Sequence, residues 1–179
     1  MNLSRLLFRP ILPSDFEVIK ALHDDFFPVK YSEEFYRNTC CGVGLGGGKL
    51  YSCIATTESG SIVGFILAQI FDYPSQCEDK CLFANESTIS KICYVITLGV
   101  IEQARQTGLG SILLQYCIQY AKSVPECGAV SSRFVLYFLV YTYHKANFVP
   151  ITVVHRYICM FSTPTHQLFD FIRRITSWN

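Results

Sequence analysis

The stretch Ile92-Cys93-Tyr94-Val95-Ile96-Thr97-Leu98-Gly99-Val100 runs without a charge toward Arg105-Gln106-Thr107-Gly108-Leu109-Gly110, and an amphipathic segment, Ser111 to Ala121, follows. An apolar run of this length with several β-branched residues reads as a buried strand. Leu109, Ile112, Leu113, Tyr116, Cys117 and Tyr120 recur at helical spacing, which predicts a helix with one face on a sheet. A strand, a glycine-containing loop and a helix N-terminus together form a cradle for an anion. The glycines let the backbone approach a ligand, and N–H groups without helical partners point toward it at the positive end of the helix dipole. Residues 105–110 are therefore the candidate phosphate site.

Working outward, Leu6 to Ile11 reads as a first strand. Ser14 is placed to cap a helix carrying Phe16, Val18, Ile19, Leu22 and Phe26. Pro28 ends that helix, because the residue before a proline is pushed out of the helical region. A short helix is predicted over 32–38. Gly42 to Gly48 contains a G-x-G-x-G run, but no strand leads into it and no helix leaves it, so it reads as a flexible loop and not as a nucleotide fingerprint. Residues 50–56 and 61–71 form a hairpin around Thr57-Glu58-Ser59-Gly60. A polar insertion covers 72–91, and strands are predicted at 133–143 and 151–161. This order gives an α/β fold with a mixed sheet, the glycine loop lying at the carboxyl end of its central strand, where ligands of open sheets bind. A single domain is expected over 1–163, with an amphipathic tail over 164–179.

The chain has 179 residues, half of them hydrophobic and 16% charged, with net charge +1. That composition supports a folded core and argues against disorder. It also argues against a nucleic-acid partner held by phosphate contacts. The nine cysteines are odd in number and irregularly spaced, without the paired clusters of a zinc site, so they are expected to be reduced and mostly buried, with no metal. The N-terminus is too short and too charged for a signal peptide, and no apolar run reaches membrane-spanning length. An intracellular chain is expected, leaving the sequon Asn85-Glu86-Ser87 unused.

The block Tyr94 to Val100 followed by Arg105-x-x-Gly108-x-Gly110 resembles the acetyl-CoA signature of the GNAT acetyltransferase superfamily. Phe27-Pro28-Val29-Lys30-Tyr31, with Phe35-Tyr36, resembles the substrate loop of N-terminal acetyltransferases that act on Met-starting proteins. The polar insertion before Tyr94 is similar to that of the Golgi-associated NatF-type branch, also described as histone acetyltransferases. The resemblance covers roughly 5–125 and implies a mostly antiparallel GNAT sheet flanked by helices. It implies that backbone groups of Leu98, Gly99 and Val100 hold the pantetheine arm of acetyl-CoA. The N–H groups of Arg105, Gln106, Thr107, Gly108, Leu109, Gly110 and Ser111 would hold its pyrophosphate. Phe27, Pro28, Val29, Tyr31 and Ile96 would receive the first residues of a protein N-terminus, and Tyr94 would be catalytic. The chemistry agrees: an aromatic and proline wall suits an unbranched Met side chain. An α-amine titrates near pH 8, so it needs little help from a base. A tyrosine then orders water or stabilises charge.

After Gly128 the resemblance lapses. The family carries a histidine base on the strand after the glycine-loop helix, whereas 133–143 contains none; Leu139 falls near that position and His144 lies beyond it. In the tail, Leu168, Phe171, Ile172 and Ile175 share a helical face with Arg173 and Arg174 off it. This is the pattern of a helix lying on a membrane, and the resemblance to the NatF-type branch implies a cytoplasmic protein on the cytosolic face of the Golgi or another membrane. Two further readings stay open: a catalytically impaired acetyl-CoA-binding module, and acetylation of histone lysines.

Overall fold

The computed structural model describes residues 3–27, 30–72, 90–135 and 154–160, with 131–135 and 154–160 described by backbone alone. The strand read from 92–100 is β4, Lys91–Val100, fourth in a six-stranded sheet. β1 (Leu7–Arg9), β2 (Leu50–Thr56), β3 (Ile62–Asp72) and β4 pair antiparallel in succession. β5 (Cys127–Val135) lies parallel to β4, and β6 (Val154–Met160) pairs antiparallel with β5. Parallel neighbours need a crossover, which α3 (Leu109–Ser123) supplies. The mixed, mostly antiparallel α/β sheet is as expected. β5, however, begins at Cys127 and not at Arg133. Its first six residues, Cys-Gly-Ala-Val-Ser-Ser, have weak strand propensity, and the ladder with β4 overrides it. Residues 136–143 of the predicted strand and the whole tail over 164–179 lie outside the described residues.

Each face of the sheet has its own core. On one, Ile66, Ala68, Cys93 and Val95 meet α3. On the other, α1 (Phe16–Phe26) and α2 (Glu33–Cys40) pack Ile19, Tyr36 and Cys40 against Ile54, Phe65 and Leu67. α3 is rotated from the predicted stripe: Leu109, Leu113 and Cys117 are buried as expected, but Leu114, Ile118 and Ala121 join them while Tyr116 is exposed. The sequence offers two overlapping apolar stripes, and the tyrosines take the wetter one. Tyr116 lies 5.0 Å from Phe8 and Tyr120 stacks 4.3 Å from Tyr51, covering sheet margins with their amphipathic rings.

The start of α1 also differs from expectation. Ser14 is exposed and makes no cap. The neighbouring Asp15 carboxylate instead accepts the Leu12 N–H at 2.8 Å and grips Arg9 through both guanidinium nitrogens at 2.7 and 2.9 Å. Hydrogen bonding to Arg9 holds this carboxyl below the usual carboxylate range. Val18 is exposed, whereas His23, absent from the predicted core, is fully buried. α1 stops at Phe26 with Phe27 extended (φ −124°, ψ 137°), as Pro28 requires. Ser32 caps α2 by accepting the Phe35 N–H, and Glu33 and Glu34 occupy its dipole-favoured first turn.

Candidate active site

β4 is interrupted where the sheet opens. Leu67 of β3 sits opposite Thr97 and Ala68 opposite Val95, so Ile96 is an extra residue, a β-bulge. Upstream, Cys93 and Val95 face α3; downstream, Leu98 and Val100 do, while Ile96 packs with the opposite core. The ladder with β5 stops at Val95 opposite Ser132 although β5 continues to Val135. Among the described residues no strand lines that side of Ile96 to Val100. The Ile101 N–H donates to Val63 at 3.0 Å, so by strand alternation Gly99, expected to offer its backbone to a ligand, faces Phe65 of β3, whereas the backbone groups of Leu98 point away from β3. The Val100 carbonyl already accepts Arg105 Nε at 3.2 Å.

Gly99 has a packing duty as well. A Cβ there would come within 2.5 Å of Phe26 Cδ2 and 3.1 Å of Phe65 Cε1, so its bare backbone admits the Phe26 ring on the face opposite α3.

The loop after β4 is built as the glycines suggested. Gln106 (φ 61°) and Gly108 (φ 89°) both adopt left-handed backbone, and Gly108 is the N-cap of α3. Left-handed residues within a turn gather successive N–H groups into an anion-binding concavity. The first-turn N–H groups of Gly108, Leu109, Gly110 and Ser111 have no partner inside the helix. Conformation, not space, demands glycine at 108, since its nearest neighbour to an added Cβ is Leu3 Cδ1 at 4.0 Å. Thr107 turns its hydroxyl inward, donating to the Ala104 carbonyl at 2.7 Å. One expectation is corrected: the Arg105 N–H donates to Glu102 at 3.1 Å, closing a 3-10 turn. The candidate cradle is therefore 106–111, and Arg105 braces the end of β4.

The opposite face of β4 carries an aromatic cluster. His23 is completely buried, with the rings of Phe27, Tyr31, Phe35, Tyr36 and Phe65 at 5.0–6.1 Å. Neither imidazole nitrogen has a hydrogen-bond partner among the described residues. Burial lowers the pKa of His23 to about 4, outweighing the Ile19 carbonyl and the Asp24 carboxylate, so the ring is neutral at physiological pH. Tyr31 is partly exposed and stacks 4.3 Å from Phe35. Phe27 and Tyr31, both predicted for substrate, are thus brought together around His23. Pro28 and Val29 lie outside the described residues. Tyr94, half-buried, stands two residues before the bulge with its ring edge-on to Phe71 at 6.3 Å.

Beside this cluster, a cleft of about 280 Å³ opens between α2 and the loop over 42–48. Leu50, Leu67 and Ile96 contribute apolar surface, Glu34, Phe35, Asn38 and Thr39 come from α2, and Gly44 to Gly47 contribute loop backbone. The loop is pinned, contrary to the reading of a flexible segment. Gln69, buried on β3, accepts the Leu45 N–H at 2.7 Å and donates to the Leu45 carbonyl at 2.8 Å. A Cβ on Gly44 or Gly48 would run into that carboxamide. Of the described residues expected at the substrate site, only Ile96 lines the cleft; α2 and the loop over 42–48, held by Gln69, are additions. Gln69→Leu should cost about 2 kcal/mol, because it strands both backbone groups of Leu45. Urea denaturation measures the loss, and hydrogen exchange should speed up selectively over 43–49. Unchanged exchange there would show that the clamp does not hold the loop.

These features have counterparts elsewhere. The family model of the acetyltransferase (GNAT) family matches residues 16–135, extending the resemblance into β5. The chain is 28% identical over 125 residues to histone acetyltransferase MCC1 of Arabidopsis thaliana, covering 69% of this chain and 51% of that protein. It is 30% identical over 132 residues to N-alpha-acetyltransferase 60 of Danio rerio, covering 72% and 52% respectively. This chain spans about half the length of these curated relatives. The crystal structure of Arabidopsis thaliana NAA60 in complex with a bisubstrate analogue superimposes with a TM-score of 0.61 at 29% identity, covering 74% of this chain and 76% of that one. A bulged β4 parting from β5, a left-handed turn capping the following helix, and a family match across both place this chain in the GNAT acetyltransferase family.

Proposed function

We propose that the chain transfers the acetyl group of acetyl-CoA to the α-amine of protein N-termini, preferring Met followed by an apolar residue or Lys. The observation that carries this reading is the two-sided build of β4. An anion cradle and exposed strand backbone lie on one side of the bulge, and an aromatic cluster with a cleft lies on the other. A thioester can enter from the first and a peptide amine from the second, meeting near Ile96. The relatives named N-alpha-acetyltransferase 60 and the bisubstrate complex of NAA60 support the same assignment.

In this scheme the N–H groups of residues 106–111 bind the pyrophosphate, and backbone groups of Leu98 align the pantetheine arm. The neutral amine attacks the thioester carbonyl, the C–S bond breaks, CoA leaves as its thiolate, and the amine proton passes to water. Because an α-amine titrates near pH 8, a strong base is not required. Side-chain lysine, near pH 10.4, would need one, which ranks histone lysines second. Tyr94 would order the departing proton's water. A cytosolic location with peripheral membrane contact through 165–179 belongs to the same proposal, on the amphipathic pattern of the tail.

The test is acetylation of Met-Lys, Met-Ala and Ser-starting peptides with acetyl-CoA. Met-starting peptides should be modified faster, and Tyr94→Phe should lower kcat at least about tenfold with KM for acetyl-CoA unchanged. Equal rates for all peptides would remove the Met preference, and no turnover above Tyr94→Phe would remove the enzyme.

A further inference from the structure

The cleft between α2 and the loop over 42–48 has a charge the proposed reaction does not use. Among the described residues, Glu34 is the single ionisable side chain along its lining. Its neighbour Glu33 is engaged, with Lys20 at 3.3 Å and Arg37 at 3.5 Å. No ion pair of Glu34 occurs among the described residues, and it is exposed at the cleft. The rest of the lining suits a long side chain with a polar end: Leu50, Leu67 and Ile96 offer apolar surface, and Asn38 and loop backbone offer polar groups. Ile96 also belongs to the bulge, so the cleft adjoins the place where amine and thioester would meet.

Resting on the N-terminal acetyltransferase reading, we infer that this cleft receives a lysine or arginine side chain of the incoming polypeptide, with Glu34 as its counter-ion. Long basic side chains lay their methylenes on apolar surface while the charged head stays near water, and this cleft provides both. An acidic side chain would meet the Glu34 carboxylate and be repelled. A short neutral one would leave the apolar surface uncovered. Glu34 also sits in the dipole-favoured first turn of α2, and a purely helix-stabilising role would give no preference among peptides.

The experiment measures binding separately from turnover. Met-starting heptapeptides with a C-terminal fluorophore carry Lys at position 2, 3 or 4 in an alanine background, beside all-Ala and Glu-bearing controls. Anisotropy is recorded on the full chain with CoA present in place of acetyl-CoA. One Lys position should bind about fivefold more tightly than all-Ala, the scale of a partly exposed ion pair. Glu34→Gln should erase that advantage without weakening the all-Ala peptide, and Glu34→Lys should transfer it to the Glu-bearing peptide. Absence of any Lys preference in the wild type, or an equal loss for all peptides in Glu34→Gln, would overturn the inference. Acetylation of the same peptides is scored apart: selective binding without acetyl transfer would sink the enzymatic reading and leave the cleft assignment standing.

Discussion

Gly108→Val should abolish useful acetyl-CoA binding, weakening it by about 100-fold or more. Valine is a genuine outlier at positive φ, and Gly108 sits at φ 89° as the N-cap of α3. The variant must either hold that strain or rotate the turn, and rotation turns the N–H groups of 106–111 away from a common centre. Charge-assisted hydrogen bonds contribute about 1.5–3 kcal/mol each, so loss of two accounts for the factor. Gly110→Ala is the matched control. Its added Cβ would meet only Val100 Cγ2 at 3.9 Å, ordinary contact, and alanine favours the helix. Titration calorimetry with acetyl-CoA should find the alanine variant within about threefold of wild type. Retained affinity in Gly108→Val, with circular dichroism confirming the fold, would dismantle the cradle assignment.

The second large effect is on stability in mild acid. His23 has a folded pKa of about 4 against an ordinary value of 6.5. Its pKa is depressed, so the unfolded chain binds a proton first as pH falls, and stability drops from about pH 6.5 until the folded-state group titrates near pH 4. Above that window His23 contributes no pH dependence. At about 1.4 kcal/mol per unit the loss approaches about 3 kcal/mol, or roughly 10 °C in Tm for a chain of this size. Buried carboxylates such as Asp15, with its pKa held low by Arg9, act at still lower pH and leave this window distinct. His23→Leu, similar in volume and without stranded nitrogens, should be within about 1 kcal/mol of wild type at pH 7.5. It should flatten the slope between pH 6.5 and 4. Parallel melting curves for variant and wild type across that range would show that His23 is not the group responsible.

The parts of this molecule legible from sequence are those whose signal is local. β4 shows as an unbroken apolar run, the loop as two glycines, and the end of α1 as Pro28; each depends on residues within a few positions. The Ile96 bulge was not legible, because it is defined by register against Leu67 and Ala68 far earlier in the chain. Nor was Gln69, an ordinary polar residue until β3 brings it beneath Leu45. His23 falls at a position compatible with the buried stripe of α1, but a titratable side chain argues against burial until five rings are seen around it. The loop over 42–48 departs from its sequence-based expectation for a related reason. A dense glycine run suggests freedom, whereas two of these glycines make room for the amide that restrains them.

Ile96 has no partner across β3 and lies beyond the last rung with β5, so it takes no part in setting the alignment of either neighbour. Most positions in a central strand answer to two neighbours at once, and changing them risks the whole sheet. This one can vary without renegotiating that alignment, even though it stands where two substrates would meet. Selection can therefore retune what the cleft accepts at position 96 while the scaffold beneath stays the same.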